Sequence, residues 1–217
     1  MFYCNFMKIR PQRHFYFKSY LFQKKFILGI FPLAIFAMLL NGCGHGGRRD
    51  GEKLGGGPVY YALAEIKPTQ GNKVYGRVWF SEAFGKVKVD VQITGLDKNS
   101  KHGFHIHEFG DCSAADASSA GGHYNPENHE HAGLDQAVRH AGDFGNLVTD
   151  KEGVARLNFD VTNLSINGAL NPIIGRGVIV HKNSDDYVTQ PTGGAGARIA
   201  CGVIGAATRA NDSQSTK

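Results

Sequence analysis

The chain has 217 residues, 29 of them glycine, with short scattered runs of Phe, Val and Ile, enough for one domain with a substantial core and suited to an all-β fold. Its formal charge of +5 belongs to the leader: Lys8, Arg10, Arg13, Lys18, Lys24 and Lys25 precede Cys43, no acidic residue does, and the remainder carries 18 basic against 19 acidic residues. That balance rules out reading the net charge as a nucleic-acid-binding surface on the folded part.

Residues 1–43 read as an export signal. A basic, aromatic stretch is followed by FILGIFPLAIFAMLL at 26–40 and then Asn41-Gly42-Cys43. The apolar run is short for a spanning helix, contains a proline, and has the length of a signal core. L-N-G-C resembles a bacterial lipobox, in which Cys43 is lipidated and becomes the mature N-terminus. Plain cleavage and an uncleaved anchor are the alternatives, and Met7 is an alternative start. Residues 44–58 (GHGGRRDGEKLGGGP) have almost no apolar side chain to offset ordering entropy, so a flexible tether carrying a solvated His45 is expected.

From residue 59 the expected elements are strands, in the order VYYALAEI (59–66), NKVYGRVWFS (72–81), KVKVDVQIT (86–94), GFHIHEF (103–109), VARLNFDV (154–161), GRGVIVH (175–181) and ARIACGVIG (197–205). Lys86 to Ile93 alternates wet and dry faces residue by residue. Seven or eight such strands make a sandwich or barrel, and no stretch has a sustained helical period. Residues 111–142 and 182–196 lack strand character, and loops of that length inside a domain are usually functional. A polar tail is expected over 208–217.

The chemistry lies in the histidines. His105 and His107 are two apart in a strand, so they share a face with Cα atoms roughly 6.5–7 Å apart and can converge on one ion. His123, His131 and His140 fall in the first long loop, and His181 directly precedes the second. His102 precedes the strand pair out of register with it, which favours a structural hydrogen bond. His129 reads as an exposed loop residue. Outside the leader, Cys112 and Cys201 form the one available cysteine pair. In an exported protein a disulfide is expected, stabilising by roughly 4–5 kcal/mol for so large a loop; two unpaired buried thiols are the alternative.

Residues 103–113 (GFHIHEFGDCS) and 193–204 (GGAGARIACGVI) resemble the two signature segments of the Cu,Zn superoxide dismutases. GGHYNP at 121–126, RHAGDFGN at 139–146 and IIGRGVIVH at 173–181 lie between them, and the resemblance runs from about residue 59 to 207. It implies a Greek-key β-barrel or sandwich of about eight antiparallel strands with two functional loops. It also implies copper on His105, His107, His123 and His181, and zinc on His123, His131, His140 and Asp143, so that His123 bridges one ion of each kind. Imidazole suits both ions, and zinc accepts three nitrogens and a carboxylate oxygen. Asp185 matches an aspartate that orients one histidine of each set, although Asp186 adjoins it. Arg198 matches the arginine that attracts superoxide.

The implied activity is dismutation of superoxide, with Arg198 and His123 as catalytic residues, in the periplasm or cell envelope. Membrane contact is expected only through the leader or its lipid, and monomer and homodimer are both open. Two features depart from the cytosolic branch: 185–196 is short and lacks a basic residue, and Cys112 lies close to His107, as in exported bacterial forms. The alternative from another class is a non-catalytic copper- and zinc-binding envelope lipoprotein. A zinc hydrolase needs an open zinc position, which four protein ligands deny.

Overall fold

The computed structural model describes residues 60–208. The leader with Cys43, the tether with His45, and the tail after Thr208 lie outside the described residues. Eight strands run in the order β1 (Tyr61–Pro68), β2 (Tyr75–Ala83), β3 (Lys86–Thr94), β4 (Lys101–His107), β5 (Asp143–Val148), β6 (Ala155–Val161), β7 (Gly177–His181) and β8 (Arg198–Ala206). All neighbours are antiparallel, in the spatial order β5-β4-β7-β8-β1-β2-β3-β6. The terminal strands β5 and β6 touch, with the rings of Phe144 and Phe159 5.2 Å apart, so the sheet curls into a nearly closed barrel. The connections β3 to β4 and β6 to β7 cross the barrel, as a Greek key requires.

Alternation decides what fills the barrel. In β3, Val87, Val89, Val91 and Ile93 are buried while their neighbours are wet, and they meet Ala62, Ala64 and Ile66 of β1 and Val78 and Phe80 of β2 in one core. Phe84 and Gly85, both at positive φ, close the hairpin from β2 to β3 in two residues, which matches the twist of the flanking strands. A third long connection, 162–176, is also irregular, yet it drives Leu164, Ile166 and Ile173 into the same core.

β5 is a strand that the sequence reading did not name, although it lies outside the expected loop at 111–142. Asp143, Gly145 and Asn146 are poor strand formers, and Gly145 takes φ 82°. What makes it a strand is its partner: Lys101, His102 and Gly103 of β4 pair with Val148, Leu147 and Asn146. β4 is buried on both faces from His102 onward. Phe104 and Ile106 enter the barrel core, whereas His105 and His107 point outward beneath the two long loops. The ladder slips at Gly103–His105 and again at Val180–His181, so register shifts sit beside three of the predicted ligands, where they re-aim side chains.

Candidate metal centre

The first long loop returns to β4 through backbone bonds before it wanders. Tyr124 N–H donates to Ile106 C=O, Gly142 N–H to Tyr124 C=O, and Ile106 N–H to Gly142 C=O, each at 2.9 Å, and His107 forms an isolated bridge with His123. A Cβ on Gly142 would collide with the Ile106 carbonyl, so glycine permits this approach. Consequently His123 and His140 are delivered to the outer face of β4, next to His105 and His107.

All seven predicted ligand residues are buried and fall into two overlapping sets: His105, His107, His123 and His181; and His123, His131, His140 and Asp143. Within each set one donor atom per residue lies within 4.8 Å of every other. In the second set three imidazole nitrogens converge on Asp143 Oδ1, with His123 Nδ1 at 2.8 Å, His131 Nδ1 at 3.0 Å and His140 Nδ1 at 3.3 Å. His123 alone belongs to both sets.

The nitrogens that face away from these clusters are held by the protein. His107 Nδ1 donates to Gly121 C=O at 3.0 Å, and His181 Nδ1 donates to Gly196 C=O at 3.1 Å. Asp185 takes one ring from each set, accepting from His105 Nε2 on Oδ2 at 2.8 Å and from His131 Nε2 on Oδ1 at 2.9 Å. These bonds fix the tautomers and leave His105 Nδ1 and the Nε2 atoms of His107, His123 and His181 as the donors of the first set. His105 Nδ1, His123 Nε2, His131 Nδ1 and His140 Nδ1 are buried and make no hydrogen bond of good geometry. Buried donors without partners are uncommon, and four of them grouped at two such donor sets fit two metal ions.

In the first set, protonation is consistent with that fit. Burial lowers His105 and His107, and pulls His123 and His181 down to about 4 and about 3, so these rings are neutral at pH 7, the form that ligates a metal. Burial opposes charge on His131 too, but the nearby carboxylates of Asp143 and Asp185 prevail and raise it to about 9. Burial would raise both aspartates; hydrogen bonds from the surrounding histidines instead hold them far below the usual carboxylate range. Two fixed carboxylates around His131 favour a positive charge there.

Arg198, at the start of β8, donates from Nη1 to Ala117 C=O at 2.7 Å and from Nη2 to Gly121 C=O at 2.6 Å. Gly121 C=O thus holds both the guanidinium and a ligand ring. Cys112 and Cys201 are disulfide-bonded, tying the same loop to β8. Asp186 is exposed and caps the turn to Val188 and Thr189, which leaves Asp185 as the aspartate inside the site.

Of the other two histidines, His102 makes the structural hydrogen bond expected of it, and His129 differs from expectation. His102 is fully buried, with Nδ1 donating to His181 C=O at 3.0 Å, a structural bond made from inside the protein. His129 is half-buried because Nδ1 donates to Arg139 C=O at 3.1 Å, and it joins neither set. The sequence reading missed Asn146, whose Oδ1 accepts from Asp185 N–H at 2.8 Å and whose Nδ2 donates to Asp185 C=O at 2.9 Å. It stands in the RHAGDFGN segment, three residues after a ligand, which was the available signal.

A family model described as copper/zinc superoxide dismutase matches residues 74–204. Among curated relatives, one from Paramecium bursaria Chlorella virus 1, named Superoxide dismutase [Cu-Zn], is 44% identical over 138 residues, covering 61% of this chain and 73% of its own. One of the same name from Schizosaccharomyces pombe is 44% identical over 144 residues, covering 63% and 92%. The Extracellular superoxide dismutase [Cu-Zn] of Drosophila melanogaster is 44% identical over 158 residues, covering 68% and 86%. The crystal structure of the clock protein EA4 superposes with a TM-score of 0.64 at 38% identity, covering 70% of this chain and 98% of that one.

Proposed function

The chain belongs to the copper/zinc superoxide dismutase family, and we propose that His105, His107, His123 and His181 hold its copper while His123, His131, His140 and Asp143 hold its zinc. Its reaction is dismutation: two superoxide anions and two protons give dioxygen and hydrogen peroxide. The observation that carries the residue assignment is the sharing of His123 by two buried donor sets. When bound, copper supplies the Cu(II)/Cu(I) couple that accepts an electron from one superoxide and returns it to the next, and zinc supplies a fixed positive charge.

The protein's own part is positioning, attraction and proton handling. His123 Nε2, buried and without a protein partner, is the atom placed to hold a proton in one half-reaction and release it to the product in the other. Asp185 keeps the His105 and His131 rings in the tautomers that ligation needs. Arg198, pinned by two carbonyls, presents a charge that attracts and orients superoxide. The loop residues between Asp185 and Arg198 contain no other cation, so that loop has none to compensate for its loss.

Arg198→Ala is therefore expected to lower kcat/KM by roughly tenfold or more and to flatten its dependence on salt, with copper and zinc contents unchanged. Metal analysis alongside superoxide consumption over a salt series checks this. An unchanged rate in the fully metallated variant contradicts the role given to Arg198. A missing ligand residue or arginine would favour the non-catalytic reading, and the sequence keeps all seven candidate ligands and Arg198.

We further propose that residues 1–43 direct export, that Cys43 is the lipidated mature N-terminus, that 44–58 tether the domain at 59–207, and that 208–217 form a polar tail. The protein would then work in the periplasm or cell envelope. The Cys112–Cys201 disulfide and the relative named extracellular support export. Cys43→Ser should abolish incorporation of labelled palmitate in the producing cell; undiminished labelling would contradict the lipid assignment.

A further inference from the structure

His131 lies in a stretch without strand or helix, so no ladder fixes its backbone. Three side chains from the short second loop reach this part of the first. Asp185 accepts from the His131 ring. Tyr187 packs against Gly133 and Gly145, so that a Cβ on either would meet its ring at 3.4 and 3.1 Å, and its hydroxyl accepts from Asn146 Nδ2 at 2.8 Å. Gln190 makes the most directed contact: His131 N–H donates to Oε1 at 2.8 Å, and Nε2 donates to His131 C=O at 2.8 Å.

A single carboxamide thus satisfies both backbone groups of one residue, as a narrow pair does in an antiparallel ladder. Solvent reaches the Gln190 side chain, which weakens each bond taken alone, but two bonds to one residue restrict translation and tilt of its Cα together. With the ring held by Asp185 and the backbone by Gln190, His131 Nδ1 has little freedom relative to Asp143. The amide supplies, from a shortened loop, the anchoring that no strand ladder gives His131.

We propose that Gln190 is a positioning residue for the zinc set, setting zinc retention through the backbone of His131 without touching the ion. The inference rests on the reading that His131 is a zinc ligand. It says more than that the two loops adhere, because a general tie between loops would loosen both donor sets, whereas the clamp on His131 acts on the zinc set alone.

The test uses the mature, fully metallated protein with Gln190→Ala and Gln190→Glu, the latter keeping the acceptor but losing the donor. Zinc release into a chromogenic chelator, copper retention, and the visible absorption of Co(II) loaded in place of zinc are measured for each. The expected result is zinc release faster by about tenfold or more in Gln190→Ala and by less in Gln190→Glu, with an altered Co(II) spectrum and copper retention unchanged. If Gln190→Ala fails to fold, the same comparison on Gln190→Glu decides. Zinc release unchanged, or zinc and copper loosened equally, overturns the proposal. Wild-type zinc affinity in His131→Ala would instead overturn the ligand assignment beneath it.

Discussion

Replacing His123 with alanine is expected to lower superoxide consumption by about 100-fold or more, even when copper is supplied in excess. His123 is the one side chain common to both buried donor sets, with Nδ1 2.8 Å from Asp143 Oδ1 and Nε2 in the four-histidine cluster. Its ring centroid lies 4.0 Å from that of His105 and 5.1 Å from that of His107, so alanine leaves a polar hollow between the sets. On the proposed assignment two contributions vanish together: a ligand to each ion, and the nitrogen that shuttles a proton. Pulse-radiolysis rates on the variant, with metal contents measured, give the answer. His129→Ala serves as the control, because His129 joins neither set, and it should retain full activity. Full activity in His123→Ala would refute the shared-ligand account.

Reducing the Cys112–Cys201 disulfide is expected to lower the melting temperature by about 10–20 °C. The bond joins residues separated by 89 in sequence, for which the chain-entropy model gives roughly 4–5 kcal/mol, and each kcal/mol shifts a domain of this size by about 2–4 °C. Its position adds to the effect. The bond packs with Ala117, Ala120 and Ile179, and residues 117–121 supply the carbonyls that hold Arg198 and the His107 ring. Reduction therefore loosens the approach to the copper set as well as the chain. Removing the metals should deepen the fall, since ligation orders two long loops that send few side chains into the core beyond Tyr124, Leu134 and Ala141. Scanning calorimetry on oxidised, reduced, metallated and metal-free protein separates the contributions. Equal melting temperatures in the oxidised and reduced forms would contradict the argument.

The site was more legible in the sequence than the local structure around it. His105 and His107 at a spacing of two declared a shared face, and Gly-rich stretches of polar residues around His123, His131 and His140 declared loops that needed something beyond a core to order them. The partition of seven candidate ligands into two sets, by contrast, came from family resemblance; the three-dimensional return of 123–124 and 141–142 onto β4 brings those residues into two overlapping clusters. β5 escaped notice because Asp143, Gly145 and Asn146 have poor intrinsic strand preference and owe their conformation to pairing with β4. Asn146 and Gln190 were invisible as site residues for a related reason. Each acts on another residue's backbone, and such contacts between distant segments leave no periodicity or spacing to read.

The most direct test of the central claim is superoxide consumption by the purified, metal-quantified mature protein, measured with and without added copper. The account predicts rapid consumption at one copper and one zinc per chain and its disappearance when copper is chelated. Both metals bound at that stoichiometry without turnover would contradict it and favour a copper- and zinc-binding protein with no catalytic role.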